Sequence, residues 1–181
     1  MKKATIILGS LLSLFIVSCE GPEGPPGRDG LDGLDGLDGA AFEAAAFEID
    51  VDLSFNSSAN RYEFFTEYPS DIQLIQDDVI LVYRLEEVTD GLDVWRQLPQ
   101  PFFSDEGLLY YNFDFTVGDY TILLEPEFDA NLVPADLTNN QIFRIVVVPG
   151  DLGTAVNLDE ANLNSVMSAL GVEETDVKKI H

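Results

Sequence analysis

Carboxylates dominate the side chains that could do chemistry. The 181-residue chain carries 33 Asp and Glu against 9 Lys and Arg, a formal charge of −24, with one Cys, Cys19, and one His, His181. A single Cys near the start and a single His at the end rule out thiol catalysis, Cys/His zinc sites, disulfides and a Ser-His-Asp triad with a well-placed imidazole. Two chemistries remain for carboxylates alone. Glycoside hydrolysis needs two carboxyl groups facing each other across a cleft, and acids in strand-like segments such as Asp50 and Asp114 would supply them. With so many acids some pair always lies close, so their positions carry no specificity, and the expectation is that the protein is not an enzyme. Calcium also takes hard oxygen ligands. Glu48, Asp50 and Asp52 form an acidic row along one strand face, and Asp77-Asp78 and Asp105-Glu106 fall in loops. No EF-hand spacing and no Gly-Gly-x-Gly-x-Asp repeat accompanies them. The expectation is a solvated acidic surface that keeps the chain soluble, with no catalytic residue, metal ligand or cofactor; calcium on that surface or on the Gly-rich tract is the alternative.

The cations point the same way. Between Ala40 and Val177 there is no Lys and only four Arg. Nucleic acid is excluded as a partner, since binding it means neutralising phosphates with Lys and Arg. Arg84 and Arg144 alternate with apolar neighbours in strong strands, which predicts cross-strand salt bridges to Asp or Glu for both, not a substrate clamp. Tyr110, Tyr111, Phe113 and Phe115 suggest a sugar platform, but the period of a strand divides them between two faces, so half should be core.

The elements that hold these residues have a period of two. A hydrophobic share of 46% is too high for a disordered chain. Phe47, Ile49, Val51, Leu53 and Phe55 alternate with Glu48, Asp50, Asp52 and Ser54, a strand with one wet face. Residues 56–60 turn it into a return strand, 61–68. Val79–Val88 reads as a central strand, and Asp93–Leu98 as a short one carrying Trp95, with Pro99 and Pro101 then interrupting pairing. Residues 108–117 and 120–125 flank Gly118-Asp119, a two-residue hairpin signal. A polar stretch, 127–140, precedes the last strong strand, 142–148. The pattern predicts a mainly β domain over residues 40–181, an antiparallel sandwich or barrel-like fold. One C-terminal helix, 158–170, is expected, N-capped at Asn157 with Glu160 completing a capping box and stopped by Gly171. Its stripe of Leu163, Val166, Met167 and Leu170 needs a sheet to dock on.

Ahead of this domain lie two segments of other kinds. Met1-Lys2-Lys3 and an apolar run of about 14 residues have the proportions of a secretory signal, residues 1–18, and the run is too short to span a membrane. Ile16-Val17-Ser18-Cys19 resembles the lipobox of bacterial lipoproteins. The resemblance implies cleavage before Cys19 and lipid on that residue, with enough acyl chains for stable attachment. In residues 19–39, Gly21, Gly24, Gly27, Gly30, Gly33, Gly36 and Gly39 stand at strict spacings of three. With Gly near 7% of residues, such a run arises by chance on the order of 10⁻⁸. Only Gly fits the axis of a collagen triple helix, and the tract would span roughly 65 Å. Pro22, Pro25 and Pro26 are its only prolines, and Asp29, Asp32, Asp35 and Asp38 would stack in threes. Like charges oppose a bundle, so a homotrimer and a stretched single-chain spacer both stay open, with no stable trimer expected for the soluble form.

Lipobox, Gly-X-Y triplets and a single β domain, together with Asp77–Arg84, Val94-Trp95, Tyr111–Phe115 and Phe143–Val146, resemble the small collagen-like lipoproteins of Bacteroidota. That resemblance brings no activity and no site residues with it. It implies an exported protein of the cell envelope, lipid-anchored on the periplasmic or surface face of the outer membrane. The expected role is structural or interactive, with an envelope protein or glycan as partner. The alternative is a collagen-nucleated trimeric recognition head for glycan or protein ligands. Only Glu20 and Glu23 follow Cys19 closely, split by Gly and Pro, which departs from the acidic export tract of some lipoproteins in that phylum.

Overall fold

The computed structural model describes residues 45–150 and 159–180, all within the compact unit Gly39–His181. Residues 1–18, Cys19, the Gly-X-Y tract and Asn157 lie outside the described residues. The domain is mainly β, as its alternation predicts. Among the described residues ten strands follow in order: β1 Ala45–Val51, β2 Ser54–Asn56, β3 Arg61–Glu67, β4 Val79–Thr89, β5 Leu92–Gln97, β6 Gln100–Ser104, β7 Gly107–Phe115, β8 Asp119–Pro126, β9 Gln141–Val148 and β10 Lys178–Ile180. Among the described residues one complete α-helix, α1 Leu163–Leu170, lies between β9 and β10.

The strands form two five-stranded sheets, ordered β10-β1-β9-β4-β5 and β2-β3-β8-β7-β6. Inward-facing side chains of both fill the space between them: Phe47 and Ile49 of β1, Ile80 and Val82 of β4, Phe143, Ile145 and Val147 of β9, against Leu109 and Tyr111 of β7 and Tyr120, Ile122 and Leu124 of β8. A second cluster covers the other face of the first sheet, where Leu163, Val166 and Met167 of α1 pack on Ala46, Leu81, Tyr83, Val146 and Val148. β4 and β9 are therefore sandwiched on both faces, which is why their sequences read as nearly unbroken apolar runs. Burial of each large apolar helix residue contributes roughly 1.5–3 kcal/mol, enough to hold a helix too short to form alone.

Several boundaries differ from the periodicity. The expected strand 47–55 is broken at Asp52-Leu53, where the chain crosses to the other sheet. Leu53 N–H donates to the Thr138 carbonyl at 2.7 Å, and the Asp52 carboxylate accepts the Asn140 N–H at 2.8 Å, so tertiary bonds replace the ladder. Pro101 does not interrupt pairing. It lies in β6, opposite Tyr110 on a sheet edge, where its missing N–H costs no ladder bond. The turn between β7 and β8 is centred one residue earlier than expected. Thr116 N–H donates to the Asp119 carbonyl, and the Thr116 hydroxyl accepts the N–H groups of Gly118 and Asp119.

The helix is also shorter than 158–170. Asn162, not Asn157, caps it, accepting the Ser165 N–H at 3.2 Å, and Asp159–Asn162 are not helical. Its end is as expected: Gly171 takes φ 68°, and Val172 N–H closes on the Met167 carbonyl at 2.9 Å. Beyond it, a 3-10 turn at Glu174–Asp176 leads into β10, which pairs with β1 in parallel, the one parallel pair among the described strands.

Candidate functional site

Arg144 is the most deeply placed charge in the described domain. On β9 its neighbours Phe143 and Ile145 point between the sheets, so Arg144 points to the helix-covered face. The side chain is 2% exposed. Its Nη2 donates to Glu48 Oε2 at 2.8 Å, and its two terminal nitrogens grip both oxygens of Glu174 at 2.7 Å. Glu48 stands directly opposite on β1, so this is the predicted cross-strand bridge. Nη1 also lies 3.8 Å from the Met167 sulfur, and the guanidinium stacks over Trp95, 4.3 Å from the ring centroid. The buried Nε–H has no acceptor among the described residues. The remaining oxygen of Glu48 receives Lys179 Nζ at 3.1 Å.

Both carboxylates therefore have both oxygens engaged, which leaves neither as a free general base. The assembly ties β9 to β1, to β10 through Lys179 and to the 3-10 turn through Glu174. A groove of about 610 Å³ opens beside it, lined by Leu92, Asp93, Trp95, Asn162 and Glu174 among others. Burial pushes the Glu48 carboxyl up, but the hydrogen bonds and charges of Arg144 and Lys179 outweigh it and hold it below the ordinary value of 4.5. A depressed folded-state pKa contributes stability that is complete above the unfolded value and is lost as pH falls through the folded one. Between pH 7 and pH 3 Glu48→Gln is therefore expected to lose less stability than the parent, because it lacks the carboxylate whose contribution acid removes. Parallel urea midpoints at pH 7 and pH 3 for both proteins measure it, and identical pH dependence would contradict the assignment.

Arg84 departs from its prediction. It is 7% exposed, but it faces the interior between the sheets and no carboxylate approaches within 4 Å among the described residues. Its Nε donates to Gln141 Oε1 at 2.9 Å, and its guanidinium lies flat over Tyr111, 4.3 Å from the centroid. Tyr111 donates to the Leu137 carbonyl at 2.7 Å, and burial, opposed in part by Arg84, pushes its hydroxyl up to about 12. β4, the strand next to β9, thus turns its Arg inward for the same reason that β9 turns its Arg outward: the side-chain parity of each strand. Sequence alternation alone does not tell which face a helix will cover.

The other expected residues are scattered. Asp50 and Asp114 are exposed on strands of different sheets and form no facing pair. The row Glu48, Asp50 and Asp52 is divided, with Glu48 in the ion cluster and Asp52 capping Asn140. Asp78 bonds the N–H groups of Ile75 and Gly150, and Asp105-Glu106 form the β6–β7 turn. Among the described residues no three His, Cys, Asp or Glu side chains converge to hold a metal ion. Tyr111 is core, Phe113 packs against it, Phe115 is stacked on Phe113 at 6.3 Å, and Tyr110 faces the other way, so no aromatic platform forms. Glu174 and Lys179 were not expected at a cluster. The one signal for them is the late run of charge after Gly171. No family model, curated protein or solved structure matches this chain.

Proposed function

We propose that the protein is a lipid-anchored component of the cell envelope that displays a non-catalytic β domain on a collagen-like spacer, in a structural or interaction role. The observation that carries this reading is the order of segments along the chain: a basic and apolar leader, Ile16-Val17-Ser18-Cys19, and seven glycines at a period of three. The use of the carboxylates supports it. Glu48 and Glu174 are saturated by cations, and Asp52, Asp78 and Asp129 bond backbone N–H groups, so these acids serve the fold. A spacer also suits a domain whose partners are macromolecular, because it moves the domain away from the anchoring surface.

Cys19→Ser is expected to abolish incorporation of labelled fatty acid and to move the protein from the membrane fraction to the soluble one, since the acyl chains supply the attachment. Fractionation of cells expressing parent and variant, washed at high salt, measures this. A variant that stays with the membrane would overturn the reading. The trimeric recognition head is the competing form of the same architecture, favoured by the glycine period. Sedimentation of the chain beside a Gly33→Ala variant separates the two: a trimer that the substitution dissociates would put the head first.

A further inference from the structure

Six cations lie among the described residues, and five of them meet a carboxylate: Arg61 with Glu63, Arg96 with Glu86, Arg144 with Glu48 and Glu174, Lys178 with Asp71 and Lys179 with Glu48. Arg84 is the exception, and it is also among the most buried. In a chain with 33 acids this is not for want of counter-ions. Buried charges are ordinarily paired. The guanidinium is nonetheless fixed in place: Gln141 holds Nε from one side and the Tyr111 ring supports its face. That leaves Nη1 and Nη2 without a carboxylate, amide or carbonyl acceptor among the described residues, with the Tyr111 hydroxyl as a neighbour.

Arg84 borders an open space. β4 pairs with β9 only as far as Arg84 opposite Phe143, and its ladder with β5 is bulged between Leu85 and Glu87. Where the strands part, a recess of about 220 Å³ opens, lined by Arg84, Glu86, Glu87, Asn140 and Gln141 among others. Glu86 is already held by Arg96 and by Gln100, and Glu87 is exposed to solvent. The Asn140 side chain makes no hydrogen bond to another described residue, its backbone N–H being the group bound to Asp52.

We propose that Arg84 anchors a binding site for a carboxylate group, received by the planar Nη1/Nη2 edge as a two-point contact in this recess. A guanidinium held by Nε and stacked on an aromatic ring presents its remaining donors in a geometry that fits a planar carboxylate. The recess admits one acidic unit, such as a uronic acid residue or the end of a peptide. The site stands on the β domain alone and is independent of whether Cys19 carries lipid.

The test titrates the full chain with acetate, D-glucuronate and N-acetylglycine, with glucose as the neutral control, following the Arg84 Nε–H resonance and the thermal midpoint. Saturable shifts with the carboxylates and none with glucose are expected. Binding should weaken at least tenfold in Arg84→Lys, which keeps the charge and loses the fork, and in Asn140→Asp, which adds a further carboxylate to the recess beside Glu86 and Glu87 and leaves Arg84 intact. The tightest of the three carboxylates identifies the source, sugar acid or peptide end, and equal affinities mean that the recess reads the carboxylate alone. No saturable shift with any carboxylate, an equal response to glucose, or undiminished binding by Asn140→Asp would overturn the proposal. If Arg84→Lys does not fold, the Asn140→Asp comparison decides by itself.

Discussion

Replacing Arg144 with Ala is expected to destabilise the domain by about 3 kcal/mol or more, the range seen when one partner of a buried ion pair is removed. The loss has two parts. Glu48 is left beneath the helix-covered face with only Lys179 on its other oxygen. The aliphatic stem and guanidinium also vacate the space between Trp95 and Met167. Arg144→Met separates them, because it restores most of the packing and none of the charge. Its cost relative to Ala measures the packing. Glu174→Gln is the contrasting case: its side chain is 66% exposed, and surface pairs contribute only about 0–1 kcal/mol. Urea unfolding at neutral pH gives all three values. An Arg144→Ala cost below about 1 kcal/mol would mean that the cluster does not fasten the sheet.

Phe143→Ala should cost about 3–5 kcal/mol. The ring is fully buried between the sheets, 6.3 Å from the Tyr111 ring, on a strand laddered on one side to β1 and on the other to β4. A central strand held from both sides cannot move inward to fill the space, so the cavity term adds to the lost transfer energy. Phe103→Ala offers a control of the same chemistry. That ring is 77% exposed on the edge strand β6, and its removal should change stability by no more than about 0.5 kcal/mol. Equal midpoints for the two variants would show that the inner faces of the sheets are not packed as described.

The difference between these two phenylalanines was only partly visible in the sequence. Phe143 stands in an apolar run, Ile142–Val148, whose length and β-branched residues mark a strand covered on both faces, and the same holds for β4. Alternation also gave β1, β7 and β8 to within a few residues. What it could not give depends on contacts distant in the chain. The end of β1 is set by Thr138 and Asn140, nearly ninety positions on. β10 is three residues, Lys178-Lys179-Ile180, with no apolar period, and it is a strand because β1 offers it an open edge. Asn157 and Asn162 both precede acceptable helical residues, and the choice falls to the one that places Leu163, Val166 and Met167 on the sheet. Arg84 and Arg144 look alike in sequence. One is tied by carboxylates and the other is not, because strand parity sends them to opposite faces.

The position of β1 has a mechanical consequence. Although it is the first strand of the domain, it is not an edge: seven residues, Ala45–Val51, pair with β9, and Phe47–Ile49 also pair with β10. Tension delivered along the chain into Ala45 therefore meets two ladders lying parallel to the pull, and their hydrogen bonds share the load in shear instead of opening one after another from an end. The Arg144–Glu48–Lys179 cluster crosses all three of these strands at mid-length, acting as a pin through the layer that would bear the force.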